Sequence, residues 1–306
     1  MKVAVVTGAS GFVGRAVVSE LLQQEVEVFS IVHSETLVPS ELIGSHIIAC
    51  DMRNYDTLPN RIKEYSPDVY FHFAWEGSAG LLRGNEKVQL ANVQGTCNAV
   101  LAAVAMGCKK FVFASSIMEY EVDKEIKSMG NPGVNSIYSV AKISADYMAR
   151  ILSSNLGIDY ISSLISNIYG PGENSPRLIN CCIRKLLKGE HVSLTSGTQL
   201  YDFIYITDAA KMFTAIGYNG VAGSIYYIGN RKVRPLRSFL EELRDVISPD
   251  ARLGFGELPF SGVSLTYNEF DKELLYQHTG IEPQVSFLEG IVKTRDWIVR
   301  ENRNYE

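Results

Sequence analysis

Residues 3–14 read VAVVTGASGFVG, an apolar β-type run followed at once by glycines at positions 8, 11 and 14. This spacing suits a tight strand-to-helix turn, close approach of the backbone to a pyrophosphate, and close packing of a helix on the strand. The helix that begins here would point its free N–H groups at that pyrophosphate. We predict that six residues of this turn contact a nucleotide cofactor: Gly8, Ser10, Gly11, Phe12, Val13 and Gly14.

The first half of the chain continues with short apolar runs that alternate with helical stretches. Strands are predicted at 2–7, 26–32, 46–50, 69–73, 110–114 and 159–165, and helices near 12–23, 55–65, 85–106 and 137–155. Strands that are apolar throughout indicate a parallel sheet covered by helices on both faces. The predicted fold class is α/β, a doubly wound parallel-sheet domain over residues 1–166 that binds the nucleotide.

After residue 166 the pattern becomes irregular. The turn-rich stretch NIYGPGENSP is followed by a predicted helix at 177–188, a strand at DFIYI and further short elements up to a final helix near 286–301. We therefore expect residues 167–306 to form mainly a smaller C-terminal substrate lobe, with some segments returning to the main domain.

Composition and charge narrow the range of partners. The chain has 306 residues, a net charge of −5 and 46% hydrophobic residues. This balance gives no electrostatic reason to expect nucleic acid or an anionic membrane as a partner. No apolar run reaches the roughly 18 residues of a membrane span, and the N-terminus enters a strand pattern without a secretory signal, so we expect a cytoplasmic protein. Five cysteines without CxxC spacing and scattered histidines predict no metal site.

The end of the second predicted strand bears on the choice between NAD and NADP. An acid at this position would accept from the adenosine ribose and repel a 2′-phosphate. The chain instead has His33 and Ser34 there, with Glu35 slightly beyond, and Arg15 is a further possible donor. We therefore expect NADP or NAD, with NADP slightly favoured. Asp51 and Met52, after the third strand, are predicted to meet the adenine, although Asp51 is equally suited to capping the next helix.

A tyrosine followed four residues later by lysine is a pattern for proton transfer at a carbonyl or alcohol, because i and i+4 share a helix face and the cation favours the tyrosinate. Two pairs fit, Tyr138/Lys142 and Tyr120/Lys124. Tyr138 opens a long helical run, whereas Tyr120 falls in a polar stretch predicted to be a loop. We therefore assign Tyr138 and Lys142 as catalytic and cofactor-binding residues, and treat the other pair as a coincidence.

A hydroxyl is also needed near Tyr138 to hold the reacting oxygen. The fifth strand ends in Ser115-Ser116. Ligands of open α/β sheets bind at the carboxyl ends of the strands, which suits both serines. Ser116 is the better candidate, and Ser115 is more suited to supporting the turn.

Taken in order, TGASGFVG, HFAW, ASSIMEY, YSVAK, NIYGPG and DFIYITDAA resemble the motifs of the NAD-dependent epimerase/dehydratase family, extended short-chain dehydrogenases with a Rossmann fold that act on nucleotide sugars. The resemblance covers nearly the whole chain. It implies that Ser116, Tyr138 and Lys142 are the catalytic set and that the protein is a homodimer joined through helices 85–106 and 137–155. It also implies further cofactor and substrate contacts: Phe73, Ala74 and Asn92 for the cofactor, and Trp75 and Asn167 for the substrate.

Three departures from the family's patterns bear on the reaction. Sugar 4,6-dehydratases typically carry Asp-Glu directly after the catalytic Ser or Thr, whereas this chain has Ile117 and Met118. The family's frequent phosphate-binding arginine is replaced by Tyr201, which leaves Arg177 or Arg234 to contact the phosphates. Trp75-Glu76-Gly77 resembles reductases of nucleotide-linked 4-keto-6-deoxyhexoses from surface-polysaccharide pathways.

Three functions remain open. The leading one is reduction of a nucleoside-diphosphate 4-keto-6-deoxyhexose at C4, and the alternative is a 4-epimerase that uses the same residues with tightly bound NAD. A nucleotide-sensing protein without turnover is a minor alternative, because a sensor has no need of the proton donor Tyr138.

Overall fold

The computed structural model describes residues 1–36, 38–128, 132–260 and 262–303. Residues 304–306, the end of the predicted second part, lie outside this description. The strands in chain order are Val3–Thr7 (β1), Glu27–Val32 (β2), His46–Ala49 (β3), Val69–His72 (β4), Lys110–Ser116 (β5), Asp159–Ile165 (β6), Ile168–Tyr169 (β7), Val192–Leu194 (β8), Leu200–Tyr201 (β9), Ile204–Tyr205 (β10), Ile225–Ile228 (β11), Arg234–Pro235 (β12) and Leu253–Phe255 (β13).

The α-helices are Phe12–Gln23 (α1), Leu58–Arg61 (α2), Glu86–Ala105 (α3), Glu119–Ser128 (α4), Ser136–Leu156 (α5), Leu178–Leu187 (α6), Ile206–Asn219 (α7), Leu236–Ile247 (α8), Leu274–Thr279 (α9) and Phe287–Arg303 (α10). Short 3₁₀ turns cover Ser40–Leu42, Met52–Thr57, Leu81–Gly84 and Tyr267–Glu269. No helix within the described ranges has the length and apolar character needed to cross a membrane.

Seven parallel strands form the central sheet in the order β11-β6-β5-β4-β1-β2-β3. The strand order reverses between β1 and β4, so a crevice opens there at the carboxyl ends of the strands. Alternate residues of a strand face opposite sides of the sheet. Ala4 and Val6 of β1 accordingly belong to the core on one face and Val5 to the core on the other. The predicted fold class, a doubly wound parallel sheet, is confirmed.

Helices cover both faces of the sheet. Residues of α1 and α7 pack in the core that contains Val6, and residues of α3 and α5 pack in the core that contains Val5. Alanines on the inner side of α5, such as Ala145 and Ala149, are fully buried and allow that helix to lie close to the sheet. Tyr138 and Lys142, the catalytic candidates on α5, therefore lie on a helix that packs closely against the sheet.

The chain after β6 forms three further strand pairs, β7 with β10, β8 with β13 and β9 with β12. Helices α6, α8 and α10 pack around them through aromatic side chains, with ring centroids 5.0 Å apart for Phe203 and Phe239 and 4.8 Å apart for Phe239 and Phe287. β11 does not belong to this group, since it pairs with β6 at the edge of the central sheet.

Two sequence-based predictions about local structure are wrong. The helix predicted at 55–65 is a 3₁₀ turn followed by the four-residue α2, because Pro59 in a longer helix would clash with the carbonyl four residues before it. The stretch that contains Tyr120 and Lys124 is helix α4, not a loop, and acidic residues in its first turn favour that helix. The strand predicted at DFIYI is also shorter, since only Ile204–Tyr205 is extended before α7 begins.

Candidate active site

The glycine turn between β1 and α1 lies against the residues that follow β4. Gly8 has a φ of +65°, and a Cβ there would lie 2.6 Å from the Ala74 nitrogen. A Cβ on Gly14 would lie 2.2 Å from the Gly8 oxygen, so the helix could not approach the turn with a larger residue. The turn thus requires glycine at both positions, for backbone conformation at Gly8 and for close packing at Gly14.

The first turn of α1 has its N–H donors directed out of this loop. Gly11 is the N-cap residue and provides no side-chain hydrogen bond to the helix. Such uncapped N–H groups, together with the helix dipole, favour a phosphate. Phe12 and Val13 pack partly buried against the core, and Phe73 packs edge-to-face on Phe213 at 4.8 Å. The donor set and the side-chain-free cradle fit the pyrophosphate of a dinucleotide.

β2 itself ends without a carboxylate, but the carboxylate of Asp51, which follows β3, lies 3.8 Å from Nδ1 of His33. His33 is 83% exposed in its side chain, and the Ser34 hydroxyl lies 2.7 Å from that of Thr36. Glu35 turns back to accept a hydrogen bond from the Ala49 nitrogen at 3.3 Å. Arg15, the further expected donor, contacts the Gly172 carbonyl and lies 4.0 Å from Glu41, so its guanidinium is already engaged.

Asp51 caps the 3₁₀ turn that follows β3. Its Oδ1 accepts from the backbone N–H of Arg53 at 2.9 Å, and both carboxylate oxygens contact the Arg53 guanidinium. The side-chain hydrogen bond from Arg53 lowers the pKa of Asp51 to about 2. The capping alternative for Asp51 is thus realised in the structure. Met52 packs its side chain against Gly95 of α3.

Ser116, Tyr138 and Lys142 meet at the carboxyl end of β5, and each of them is buried. The Ser116 side chain lowers the pKa of Tyr138, and the Ser116 hydroxyl accepts a hydrogen bond from the Met118 nitrogen at 3.2 Å. Lys142 Nζ donates to the Ala114 carbonyl at 2.8 Å, one helical turn along α5 from Tyr138. The three residues predicted from sequence are therefore brought together.

Burial raises the pKa of Tyr138, while the positive charges of Arg83 and Arg177 and the side chain of Ser116 act in the opposite direction. The Arg83 guanidinium lies 4.1 Å from the centroid of the Tyr138 ring. The direction of the shift keeps the phenol protonated at neutral pH.

Lys142 lies between two aromatic rings. Its Nζ is 3.7 Å from the centroid of Trp75 and 4.8 Å from that of Phe113. Burial lowers the pKa of Lys142, and the carboxylates of Glu119 and Asp146 act against that shift.

The loop that carries Trp75 is fixed by two amides of α3. Asn92 accepts from the Glu76 nitrogen at 2.9 Å and donates to the Glu76 oxygen at 2.8 Å. Gln89 accepts from Trp75 Nε1 at 3.0 Å and donates to the Leu82 oxygen at 3.0 Å. Asn92 was expected to contact the cofactor, and its amide is instead used on both sides by the Glu76 backbone.

A cavity of about 620 Å³ opens beside the Ser116–Tyr138 pair. Its wall includes residues that flank the pair, Ile117 and Met118 on one side and Asn135 and Ser136 on the other. Other lining residues, among those described, come from the loop before α3, from α4 and from the second half of the chain: Arg83, Glu121, Glu125, Asn167, Arg177, Gln199, Tyr201, Phe203, Phe260 and Tyr267.

Three of the four predicted substrate contacts line this cavity, namely Asn167, Arg177 and Tyr201. Arg177 also pairs with Glu173 at 3.0 Å. The fourth, Trp75, covers Lys142 instead and makes an edge-to-face contact with Tyr138 at 5.9 Å.

Arg234 was the second candidate for phosphate binding. Its guanidinium pairs with Glu242 and lies 3.9 Å from the centroid of the Phe239 ring. The structure therefore turns Arg234 into the packing between β12 and α8, whereas Arg177 lines the cavity together with Arg83. Asp208 of α7 accepts hydrogen bonds from the Gln284 and Val285 nitrogens and fixes the segment before α10.

The second Tyr-x-x-x-Lys pair lies away from the site. Tyr120 packs edge-to-face on Phe270 at 5.0 Å, and Lys124 pairs with Glu269 at 3.2 Å. The prediction that this pair is a coincidence used the wrong local structure, since both residues are helical.

Four site residues were missed in the sequence. Arg83 lies in an irregular stretch and Gln89 lies in a helix. Neither residue belongs to a motif with a recognisable spacing. Glu119 and Glu121 begin a stretch predicted to be a loop. Recognition of a helix there would have placed both acids in its first turn, next to the end of β5.

Comparison with known proteins identifies the family of this chain. The model of the NAD dependent epimerase/dehydratase family matches residues 4–229. A dTDP-glucose 4,6-dehydratase of Xanthomonas campestris is 24% identical, over 95% of this chain and 92% of its own length.

Two solved structures are similar over nearly all of both chains. The UDP-glucose 4-epimerase of Thermotoga maritima superposes with a TM-score of 0.83 at 19% identity, over 99% of this chain and 100% of its own. The dTDP-glucose 4,6-dehydratase DesIV of Streptomyces venezuelae, as a double mutant with NAD bound, has a TM-score of 0.81 at 26% identity, over 100% and 98%. The family model covers most of the chain, and the protein is therefore an enzyme of the NAD-dependent epimerase/dehydratase family.

Proposed function

We propose that the enzyme transfers hydride at C4 of a nucleoside-diphosphate sugar, as a reductase of a 4-keto-6-deoxyhexose. The observation that carries this proposal is the convergence of Ser116, Tyr138 and Lys142 at the carboxyl end of β5, where all three are buried and Lys142 donates to the Ala114 carbonyl. The named relatives act on dTDP-glucose and UDP-glucose, which supports a nucleotide sugar as substrate.

Each member of the trio has a distinct role in this reaction. A bound NAD(P)H supplies the hydride. The Tyr138 hydroxyl gives its proton to the C4 oxygen as the carbonyl becomes an alcohol, and Ser116 donates a hydrogen bond to the same oxygen. Lys142 stabilises the resulting tyrosinate and binds the nicotinamide ribose. Burial keeps the Tyr138 phenol protonated before the reaction, and the positive charges of Arg83 and Arg177 oppose the raised pKa and so favour release of the proton.

Dehydration is not part of the proposal. Elimination of water across C5–C6 needs an acid and a base next to the catalytic serine, and those positions hold the apolar side chains of Ile117 and Met118. Glu121 lines the cavity, but its Oε2 accepts a hydrogen bond from Ser139 at 3.1 Å. The dehydratase DesIV has the same fold, but this chain lacks the acid pair.

The second candidate is a 4-epimerase, which the similarity to the Thermotoga maritima enzyme favours. It would use the same trio to oxidise C4 and then reduce the other face of the sugar. A sensor without turnover is disfavoured, because sensing does not require Tyr138 and Lys142 to be buried beside Ser116.

The proposed cofactor contacts follow the glycine turn and the strand ends. His33 and Ser34 are exposed donors at the end of β2, but the Asp51 carboxylate lies 3.8 Å from His33, Arg15 is engaged elsewhere, and DesIV binds NAD. We propose that both NADPH and NADH bind, with affinities within about tenfold of each other, equivalent to about 1.4 kcal/mol. Residues 1–166 would bind the cofactor, and residues 167–306 would supply mainly the nucleotide-sugar contacts, with Asn167, Arg177 and Tyr201 among them. The cytoplasm remains the predicted location.

The test begins with freshly purified protein, which is denatured so that any released nucleotide can be identified by mass. NADH and NADPH consumption is then followed with a nucleoside-diphospho-4-keto-6-deoxyhexose. We expect either cofactor to be oxidised only when the keto sugar is present, and a C4 alcohol to form. Tightly bound NAD, with interconversion of C4 epimers and no net cofactor consumption, would establish the epimerase instead. The absence of both activities would refute the proposed function.

We also propose a homodimer through α3 and α5. The outer face of α5 exposes Tyr147 (59%) and Ile151 (57%), and α3, which packs against α5, exposes Leu90 (67%). Exposed apolar side chains on two neighbouring helices are suited to a contact surface. Ala99 and Ala103 of α3 are buried in the chain's own core, so they cover the sheet and do not form the contact.

The dimer can be tested with two exposed isoleucines. Ile151→Asp places a charge in the proposed interface, and light scattering is expected to show the mass of a monomer. Ile43→Asp alters an isoleucine that is 77% exposed between β2 and β3 and should leave the dimer intact. A monomeric wild-type protein, or an Ile151→Asp variant that remains dimeric, would contradict this surface.

A further inference from the structure

Arg83 is a basic side chain of the cavity that lies directly on the ring of Tyr138. It belongs to the 3₁₀ turn Leu81–Gly84 before α3, and it is only partly exposed. Its guanidinium lies over the Tyr138 ring, 4.1 Å from the centroid, and it also lines the cavity. A cation in this position is attracted by the negative face of the ring. Arg83 therefore contacts the proposed proton donor at the place where the sugar would bind.

The turn that carries Arg83 is held by hydrogen bonds to its backbone. Gln89 of α3 donates to the Leu82 oxygen at 3.0 Å, and the Arg83 nitrogen donates to the Gly80 oxygen at 3.2 Å. The guanidinium itself donates to the Ser78 oxygen at 3.3 Å. These contacts hold the guanidinium over the ring without any help from a substrate.

The charge of Arg83 is less compensated than that of the second arginine of the cavity. Arg177 forms an ion pair with Glu173 at 3.0 Å. Within the described ranges no carboxylate forms an ion pair with Arg83, whose guanidinium contacts the Tyr138 ring and the Ser78 carbonyl. The charge of Arg83 is therefore available to Tyr138.

Several charged or titratable groups surround Tyr138 and Arg83. Burial raises the pKa of Tyr138, and the positive charge of Arg83 is the largest influence in the opposite direction. The other groups that face one member of this pair or the other are Arg177, Glu119 and Glu121 of α4, Tyr201 of β9 and Lys142 of α5.

We propose that Arg83 is a positioning residue for Tyr138, whose guanidinium stabilises the phenolate that forms when Tyr138 gives its proton to the C4 oxygen. In that step the O–H bond of Tyr138 breaks, its electron pair stays on the phenolate oxygen, and the proton passes to the oxygen at C4. The negative charge gained by the phenolate strengthens its attraction to a cation on the ring face. The proposal rests on the function proposed for Tyr138.

Lys142 provides a different kind of charge. Its ammonium lies between the rings of Trp75 and Phe113. Burial lowers the pKa of Lys142, so this positive charge is lost as the pH rises. An arginine side chain stays protonated throughout the working range of an enzyme. Arg83 thus keeps a positive charge beside Tyr138 at alkaline pH, where the lysine becomes neutral.

Three variants separate the charge of Arg83 from its other contacts. Arg83→Gln removes the charge and keeps a polar side chain, whereas Arg83→Lys keeps the charge. Arg237→Gln is the matched control, because the Arg237 guanidinium lies 4.0 Å from the centroid of the Phe255 ring and neither residue is among the described ones that line the cavity. Arg83→Met, which also removes the charge, replaces Arg83→Gln in every measurement if the latter does not fold.

The first measurement is the pKa of the residue at position 138 itself. A fluorinated tyrosine, which is more acidic than tyrosine because fluorine withdraws electrons, is incorporated there, and its ionisation is followed by fluorine NMR. We expect Arg83→Gln to raise this pKa by about one unit, as for loss of an opposite charge nearby. Arg83→Lys and Arg237→Gln should stay close to the wild type. A pKa in Arg83→Gln equal to that of the wild type would overturn the proposal.

This titration needs neither sugar nor cofactor. An error in the proposed reaction would therefore leave its result readable, and the two proposals can fail separately.

Kinetics then distinguish a role in proton transfer from a role in sugar binding. For Arg83→Gln we expect kcat of keto-sugar reduction to fall about fivefold with little change in KM, because a weaker acid transfers its proton more slowly. The pH at which kcat declines on the alkaline side should move upwards, as the pKa of Tyr138 rises. Arg83→Lys should recover most of the rate. A raised KM with unchanged kcat would assign Arg83 to substrate binding and contradict the proposed role.

Discussion

Replacing Tyr138 by phenylalanine is expected to lower kcat by about 10²–10⁴-fold, the usual contribution of a positioned general acid. The ring would keep its contacts with Trp75 and Arg83, so NADH affinity should change little. Loss of the hydroxyl removes the proton that the C4 oxygen must accept. The measurement is single-turnover reduction of the keto sugar, together with NADH titration.

Tyr120→Phe is the matched control for this experiment, because Tyr120 also stands four residues before a lysine on a helix. Its ring packs on Phe270, away from the cavity. We expect Tyr120→Phe to retain wild-type kcat. An unchanged rate in Tyr138→Phe would refute the proposed mechanism. A large loss of rate in Tyr120→Phe would show that Tyr138 and Lys142 are the wrong choice of pair.

Replacing Gly8 by alanine is expected to destabilise the fold by about 2–5 kcal/mol. A left-handed backbone costs a non-glycine residue about 1–2 kcal/mol, and an overpacked site costs about 1–3 kcal/mol more. The added Cβ would lie 2.6 Å from the Ala74 nitrogen, so the turn or the end of β4 must move. NADH binding should be lost with it, because the same movement displaces the N–H groups of the turn.

Gly107→Ala isolates the effect of close packing from that of backbone conformation. Gly107 follows α3 with a φ of +73°, close to the +65° of Gly8, and a Cβ there would meet no atom within 4 Å. This variant should lose about 1–2 kcal/mol in urea unfolding and bind NADH normally. If Gly8→Ala matched Gly107→Ala in both stability and NADH binding, the prediction that the close approach of the turn to Ala74 affects folding and NADH binding would be wrong.

Local patterns in the sequence were sufficient for the parts of the fold with short-range causes. The apolar run before Gly8 and the glycines after it predict β1, the turn and α1, and the structure has α1 at Phe12–Gln23. The four-residue spacing of Tyr138 and Lys142 predicts one shared helix face, since a helix repeats every 3.6 residues. The wrong predictions also have local causes. Pro59 interrupts one predicted helix, and the polar residues of α4, which include the acids of its first turn, resemble those of a loop.

The sequence by itself was sufficient to predict the doubly wound sheet, the glycine turn and the grouping of Ser116, Tyr138 and Lys142. Each prediction rests on a pattern of residues that lie within a few positions of one another. Only the tertiary structure decided that Arg83 lies on Tyr138, that Asn92 holds the Glu76 backbone and that Glu119 shares a strand end with Lys142. These contacts join segments that are distant in the chain or differ in local structure. No local period encodes them, because they exist only once the sheet has placed the ends of β4 and β5 and the start of α5 side by side.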